Sequence, residues 1–181
     1  MPTPVGHALA GLAVGAAVTW RRPLLGPWRD MVLFGALAQA PDLDFLPGIL
    51  LGRPEAFHHG ASHSLGFALL AGLLMALWGR RQGQGQAWRW ALMGFLVYLA
   101  QVLADAASVD TSFPYGVPLW WPLSDAYVIA ARPLFLDVWR KPWGLPLVWH
   151  NLRAVGLEVL ILGPPAALMI WLTRRPPAPG R

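Results

Sequence analysis

The chain has 181 residues, 56% of them hydrophobic and only 13% charged, against about 25% charged in a soluble domain. That length and composition describe a single-domain polytopic membrane protein, and the absence of cysteine excludes disulfides and thiolate metal ligands. The net charge of +5 does not mark a nucleic-acid face, because the arginines stand in short clusters between apolar runs, and several of the eleven tryptophans sit near the ends of those runs, as in an interfacial aromatic belt.

The first apolar run, His7 to Trp20, is shorter than the roughly 20 residues of a full crossing and ends on Arg21-Arg22. A signal peptide carries its positive charge before the apolar region, so this run is expected to be a retained, short first helix. The second run, Met31 to Leu51, is long enough to span but contains Pro41-Asp42-Leu43-Asp44. A carboxylate at a helix centre costs roughly 2.5–3.5 kcal/mol on insertion scales, so an uncompensated pair costs about 5–7 kcal/mol. Pro41 removes a backbone donor and disfavours helix at Ala40. A broken helix with aspartates facing a polar cavity is therefore expected, with a solvated interfacial loop as the alternative.

The third run, His63 to Trp78, ends at Arg80-Arg81, with Ser62 as its candidate cap. The fourth, Trp88 to Ala107, carries Gln101 and Asp105 four apart on one helical face. The fifth runs from about Ala154 to Thr173, with Glu158 near its start and Gly163-Pro164-Pro165 predicting a kink. Between the fourth and fifth, residues 108–153 are rich in Pro and Trp and too apolar for a disordered linker, so they are expected to lie on the membrane surface or fold back over the bundle. The expected fold is thus all-α. It is a polytopic membrane helical bundle of about five helices, some short or broken, with a long Pro/Trp-rich outer loop (108–153). It forms one integral membrane domain (1–175) followed by a tail (176–181).

Five crossings with the N-terminus outside and the C-terminus cytoplasmic put Arg21, Arg22, Arg29, Arg80, Arg81, Arg89, Arg174, Arg175 and Arg181 inside, nine of the fourteen basic residues. The same topology gathers His7, Asp42, Asp44, His58, His59, His63 and Asp105 on the extracytoplasmic face, although none of them was used to orient the chain. Histidine and carboxylate without thiolate suit zinc, manganese or iron. His58-His59-Gly60-Ala61-Ser62-His63-Ser64 supplies three imidazoles in six residues. The candidates suffice for two metals, and a two-metal site clamps a phosphoryl group and lowers the pKa of a water to make the nucleophile. There is no Gly-x-Ser-x-Gly elbow, and Ser62 and Ser64 beside His63 serve more simply as caps or as hydrogen-bonding partners of the ligands.

A leading His on an apolar helix, Pro-Asp-x-Asp, His-x-Gly-x-Ser-His-Ser, and an Asp-ended motif before Tyr115-Gly116-Val117-Pro118 together resemble the membrane-bound metal-dependent hydrolases, the YdjM-like inner-membrane proteins. The resemblance covers His7 to about Ser124. There is a fainter similarity to zinc-dependent phospholipase C. The resemblance implies a bacterial-type inner membrane and the ligand set His7, Asp42, Asp44, His58, His63 and Asp105, holding one or two divalent ions, zinc first, with manganese or magnesium as alternatives. His59 stands where the family usually has Arg, which implies a substrate-facing role; His59 and Asp105 are the candidate catalytic groups. Gln101 replaces the family's His and weakens one ligand position, for which Asp110 or His150 are possible substitutes. The function expected is a hydrolase acting on a lipid-like phosphoester among the membrane lipids, with His59 or a basic loop residue such as Arg132 neutralising phosphate charge. The alternatives are a non-catalytic protein with a structural or sensory metal site and, less favoured, an ion-coupled transporter.

Overall fold

The computed structural model describes residues 1–174 apart from Arg21, Pro54, Glu55, Gln84, Gly85 and Ser112, so the expected tail lies outside the described residues. The regular elements are helical: α1 (Pro4–Val18), α2 (Pro27–Leu37), a 3-10 turn (Pro41–Asp44), α3 (Phe45–Leu50), α4 (Leu65–Arg81), α5 (Ala87–Ala106) and α6 (Leu145–Arg174). By length and composition, two of these, α5 and the α6 stretch Leu145–Thr173, can cross a membrane. α1 and α4 hold 15 and 17 residues, about 22 and 25 Å at 1.5 Å per residue, short of a hydrocarbon core of about 30 Å.

The second apolar run breaks at its proline. α2 ends at Leu37, and Pro41 opens a tight turn that presents Asp42 and Asp44. Two sequence expectations are corrected. The cap of α4 is Ser64, whose hydroxyl accepts from the Phe67 N–H at 3.2 Å, because Ser62 is occupied elsewhere. The last helix begins at Leu145, nine residues before Ala154, so the connecting segment ends at Gly144 and His150 and Arg153 lie on α6. α6 is one helix that contains Pro164 and Pro165.

α4 lies along α5, while α1 packs against α5, α6 and α2. The α4–α5 approach is close: a Cβ at Gly72 would stand 2.9 Å from the Ala91 carbonyl, and one at Gly94 3.0 Å from the Ala71 carbonyl. Such small-residue contacts let helix backbones approach closely. One apolar cluster is built on Phe34, Ala38, Trp90, Met93 and Val97, and another on Ala68, Tyr98, Val102, Ala106 and Val117.

The segment between α5 and α6 folds back over the helix ends and supplies partners that those ends lack. Leu65 N–H donates to the Leu119 carbonyl at 2.8 Å and Gly66 N–H to that of Trp121 at 3.1 Å, while the carbonyls of Ala106 and Ala107 accept from Ala130 and Leu134, both at 2.7 Å. Helix termini leave such donors and acceptors unsatisfied unless something meets them. At the start of α1, buried Glu158 of α6 accepts from both the backbone N–H (2.7 Å) and the hydroxyl of the cap residue Thr3. A carboxylate suits that positive helix end. It also demands Gly6, where a Cβ would lie 2.7 Å from the carboxyl group. This anchor fixes the first turns of α1, and with them His7.

Candidate metal centre

Four chain segments meet at one end of the bundle: the second turn of α1 (His7), the 3-10 turn (Asp42, Asp44), the loop before α4 (His58, His59, Ser62, His63) and the last turns of α5 (Gln101, Asp105). Pro41 aims the aspartates, and Ser64 ends the loop as the helix cap, which leaves His63 in the last non-helical turn.

Four side chains form a closed ring. His7 Nε2 lies 3.6 Å from Asp42 Oδ2 and 3.5 Å from Asp105 Oδ1; His63 Nε2 lies 3.3 Å from Asp42 Oδ1 and 3.4 Å from Asp105 Oδ2. Each carboxylate therefore bridges the two imidazoles with one oxygen apiece. His7, His63 and Asp105 are fully buried, and Asp42, with 14% of its side chain exposed, is the one ring member open to the outside.

The ring fits a divalent cation. Its donors are two imidazoles and two carboxylates, a set suited to zinc, manganese or iron. His7 Nε2, Asp105 Oδ1 and the neighbouring Gln101 Oε1 are buried without a hydrogen-bond partner. Each unsatisfied buried polar atom costs roughly 1–3 kcal/mol, so three on one cluster call for a ligand. His7, Asp42 and Asp105 each bring a ligand atom within 4.8 Å of the other two, a group able to hold an ion, and His63 Nε2 stands against both carboxylates.

The remaining predicted residues are arranged around this ring, not in it. Asp44 faces the other edge of His63: Oδ2 is 3.1 Å from His63 Nδ1 and accepts from the Ser62 hydroxyl at 3.0 Å, while Oδ1 is 3.1 Å from His58 Nδ1. It stands where a carboxylate orients a ligand imidazole. The Tyr98 hydroxyl holds this loop by donating to the Ser62 carbonyl at 2.9 Å. His58 stacks on Phe45 with centroids 3.9 Å apart and turns Nε2 towards Met1 Sδ at 2.7 Å. Burial lowers its pKa, against its bond to Asp44. His58, His59 and His63 do bring ligand atoms within 4.8 Å of one another, a second group able to hold an ion. There, however, the Nδ1 atoms of His58 and His63 both face Asp44.

His59 adopts a left-handed backbone (φ 58°), a conformation uncommon outside glycine that recurs at functional sites. Its Nδ1 lies 3.4 Å from Asp110 Oδ2 and its buried Nε2 has no partner. Burial pushes this imidazole down to about 4, outweighing the bond to Asp110. Asp110 also accepts from Gly116 N–H at 2.8 Å. For His63, burial opposes the charge, but the hydrogen bonds to Asp42 and Asp44 and the field of Asp105 prevail and raise it to about 9. A proton on His63 thus occupies the place in the charge pattern that a cation would take.

Two predicted residues lie apart from the cluster. Arg132 is exposed in the connecting segment. His150 bonds the Asp137 carbonyl at 2.9 Å and stacks on Trp139, so it does not substitute for the family's histidine. A cation that does reach the site is Arg140, whose guanidinium sits 5.0 Å from the centre of the Phe45 ring. It lines two cavities. One, of about 100 Å³, is bordered by His58, His59, Asp110 and Phe113. The other, of about 410 Å³ and mainly apolar, is bordered by Pro4, Asp42, Phe45, Ile49 and Val138. Sequence spacing could not separate Arg140 from Arg132, because both lie in one irregular segment.

The chain matches the family model described as YdjM inner membrane protein over residues 1–175. It is 30% identical to the inner membrane protein YbcI of Escherichia coli (strain K12), over 97% of this chain and the whole of that protein. No solved structure matches it. Matched along nearly its whole length by both comparisons, this chain belongs to the YdjM inner membrane protein family.

Proposed function

We propose that the protein is a membrane-embedded, metal-dependent phosphoesterase acting on an amphipathic or lipid phosphoester. The observation that carries this reading is the buried ring of His7, Asp42, His63 and Asp105, with neighbouring N and O atoms 3.3–3.6 Å apart and no hydrogen bond to His7 Nε2 or Asp105 Oδ1. These four residues would hold the ion. A bound divalent cation supplies Lewis acidity at a phosphoryl oxygen and makes water a nucleophile near neutral pH. Asp44 and Ser62 keep His63 in one orientation. Asp42, open to the apolar cavity, marks where a substrate's phosphate reaches the ring, and the Arg140 guanidinium on the same wall balances phosphate charge in place of Arg132. The apolar lining from Pro4, Phe45, Ile49 and Val138 suits a hydrocarbon chain. His59, held by Asp110 beside the smaller cavity, would meet the leaving group on this reading.

The finer topology belongs to the same proposal. About five membrane passes, N-terminus out and C-terminus in, put the ring on the extracytoplasmic side of the inner membrane. Support comes from Arg80 and Arg81 at the far end of α4 and Arg89 at the far end of α5, both remote from the ring along their helices.

The test combines elemental mass spectrometry of protein purified without chelator with phosphate release from a panel of phospholipids and polyprenyl phosphates. Near-stoichiometric metal and phosphate release, both lost in Asp42→Ala and Asp105→Ala, are expected. Metal-free wild-type protein, or loaded protein inactive on every lipid, would refute the proposal. The full burial of His7, His63 and Asp105 favours one second reading, a structural ion that staples the segments together. On that reading Asp42→Ala unfolds the protein instead of leaving it folded and inactive.

A further inference from the structure

Gln101 is fully buried on α5, and its amide reaches the ring. Nε2 lies 3.4 Å from Asp42 Oδ1 and 3.4 Å from His63 Nε2, and donates to Asp105 Oδ2, while Oε1 has no partner. The end of this side chain is thus as far from two ring atoms as the ring atoms are from each other. A half-turn about the last torsion exchanges amide nitrogen and oxygen without changing the volume filled. With no cation between the carboxylates, N–H donation to them is the stable orientation. With a cation there, the amide dipole favours the reverse: Oε1 gains the cation as its partner, and the N–H groups give up the two carboxylates.

We propose that Gln101 is the fifth ligand of this centre, through Oε1 after that half-turn, and that it narrows zinc's advantage over manganese. The inference rests on the metal reading above and adds the identity of the ligand and its effect on metal choice. Four nitrogen and carboxylate donors satisfy zinc, whose protein sites are mostly four-coordinate. An amide oxygen is a hard donor that contributes more to manganese, which takes oxygen ligands and higher coordination numbers. Zinc still binds more tightly in absolute terms, following the usual order of divalent affinities; the ratio is what Gln101 sets.

Full-length protein in detergent, stripped of metal, is titrated calorimetrically with Mn²⁺ and with Zn²⁺ as wild type, Gln101→Met and Gln101→His. Methionine keeps the length of the side chain and removes the amide. The expected result for Gln101→Met is a Mn²⁺ affinity about tenfold lower with a distinctly smaller loss for Zn²⁺, and for Gln101→His a shift of about tenfold in the ratio towards Zn²⁺. Unchanged or tighter Mn²⁺ binding by Gln101→Met would overturn the proposal, because an amide that only donates to the carboxylates competes with the metal, and its removal frees them. A second measurement needs no variant. Electron–nuclear double resonance of Mn²⁺-loaded wild type, labelled with ¹³C at glutamine Cδ, should show one coupled carbon at ligand range; its absence would also overturn the assignment. Wild type that binds neither ion refutes the metal centre itself and this inference with it, whereas Mn²⁺ binding indifferent to Gln101 refutes the inference alone.

Discussion

Replacing Asp44 by asparagine tests the proposed division between Asp42 as a metal ligand and Asp44 as a residue that orients one. The Pro-Asp-x-Asp motif offers both aspartates as ligands, but only Asp42 faces the ring; Asp44 sits behind His63, with its two oxygens 3.1 Å from the Nδ1 atoms of His63 and His58. Asparagine keeps one acceptor and turns an amide N–H towards the other imidazole. The change removes one charge-assisted hydrogen bond, worth roughly 1.5–3 kcal/mol. That agrees with the 10–100-fold loss of metal affinity typical of removing the carboxylate that orients a ligand histidine, since each 1.4 kcal/mol is about tenfold. Isothermal titration of metal-stripped protein with Zn²⁺ measures it, with Asp42→Asn beside it and thermal unfolding as a check that both variants fold. Asp42→Asn should lose at least about tenfold more than Asp44→Asn, because it alters a direct donor. Equal losses would make Asp44 a ligand and refute the geometry argued here, and no loss in Asp44→Asn would show that the orientation of His63 comes from elsewhere.

Glu158→Ala leaves the Thr3 N–H and hydroxyl without acceptors, so at roughly 1–3 kcal/mol per buried group it should destabilise the protein by about 2–6 kcal/mol in detergent unfolding. Gly6→Ala, which places a Cβ 2.7 Å from the same carboxyl group, should cost about 1–3 kcal/mol by overpacking, and both variants should weaken metal binding by loosening His7. Arg140→Ala should lower phosphate release from lipid substrates while Arg132→Ala leaves it close to wild type, since only Arg140 lines the cavities at the ring. Because His63 is raised from 6.5 to about 9, its charged pairing stabilises the metal-free protein fully below pH 6.5, and that stability is lost as pH rises through about 9. The Tm of stripped protein should therefore fall across that window, and saturating metal should abolish the fall.

The chain's local chemistry made much of the site legible in advance. Pro41 announces a break because it cannot continue a helix as other residues do, and the structure breaks there. His7, Asp42, His63 and Asp105 stand out as polar residues at apolar-run positions, where composition alone makes them costly. What spacing cannot supply is orientation. Asp42 and Asp44 are two apart in a 3-10 turn, so they face different edges of His63, a distinction invisible in the motif. Ser62 and Ser64 are equally plausible caps by residue type, and the choice between them depends on where the loop folds. The start of α6 is hidden in the sequence because Pro and Gly punctuate residues 142–146, although a proline in a first helical turn loses no hydrogen bond. Arg140 required tertiary structure, since nothing local ties residue 140 to residue 45.

The ring also accounts for how carboxylates are tolerated on apolar segments. Asp105 is completely buried in the last turn of a helix apolar enough to cross a membrane, and a buried carboxylate is costly unless it is paired. Asp42 adds a second negative charge within reach of the same imidazoles. A dication offsets the charge of both carboxylates and gives the buried atoms of His7 and Asp105 the partner they lack. The same ion would tie α1, the 3-10 turn, the loop before α4 and the end of α5 to one point, so metal binding and assembly of this end of the bundle share one free energy. A purely structural ion needs nothing more than that. The exposed edge of Asp42, the apolar cavity it borders and the guanidinium on that cavity's wall go beyond what a staple requires, and they are the features that favour chemistry on a bound amphiphile.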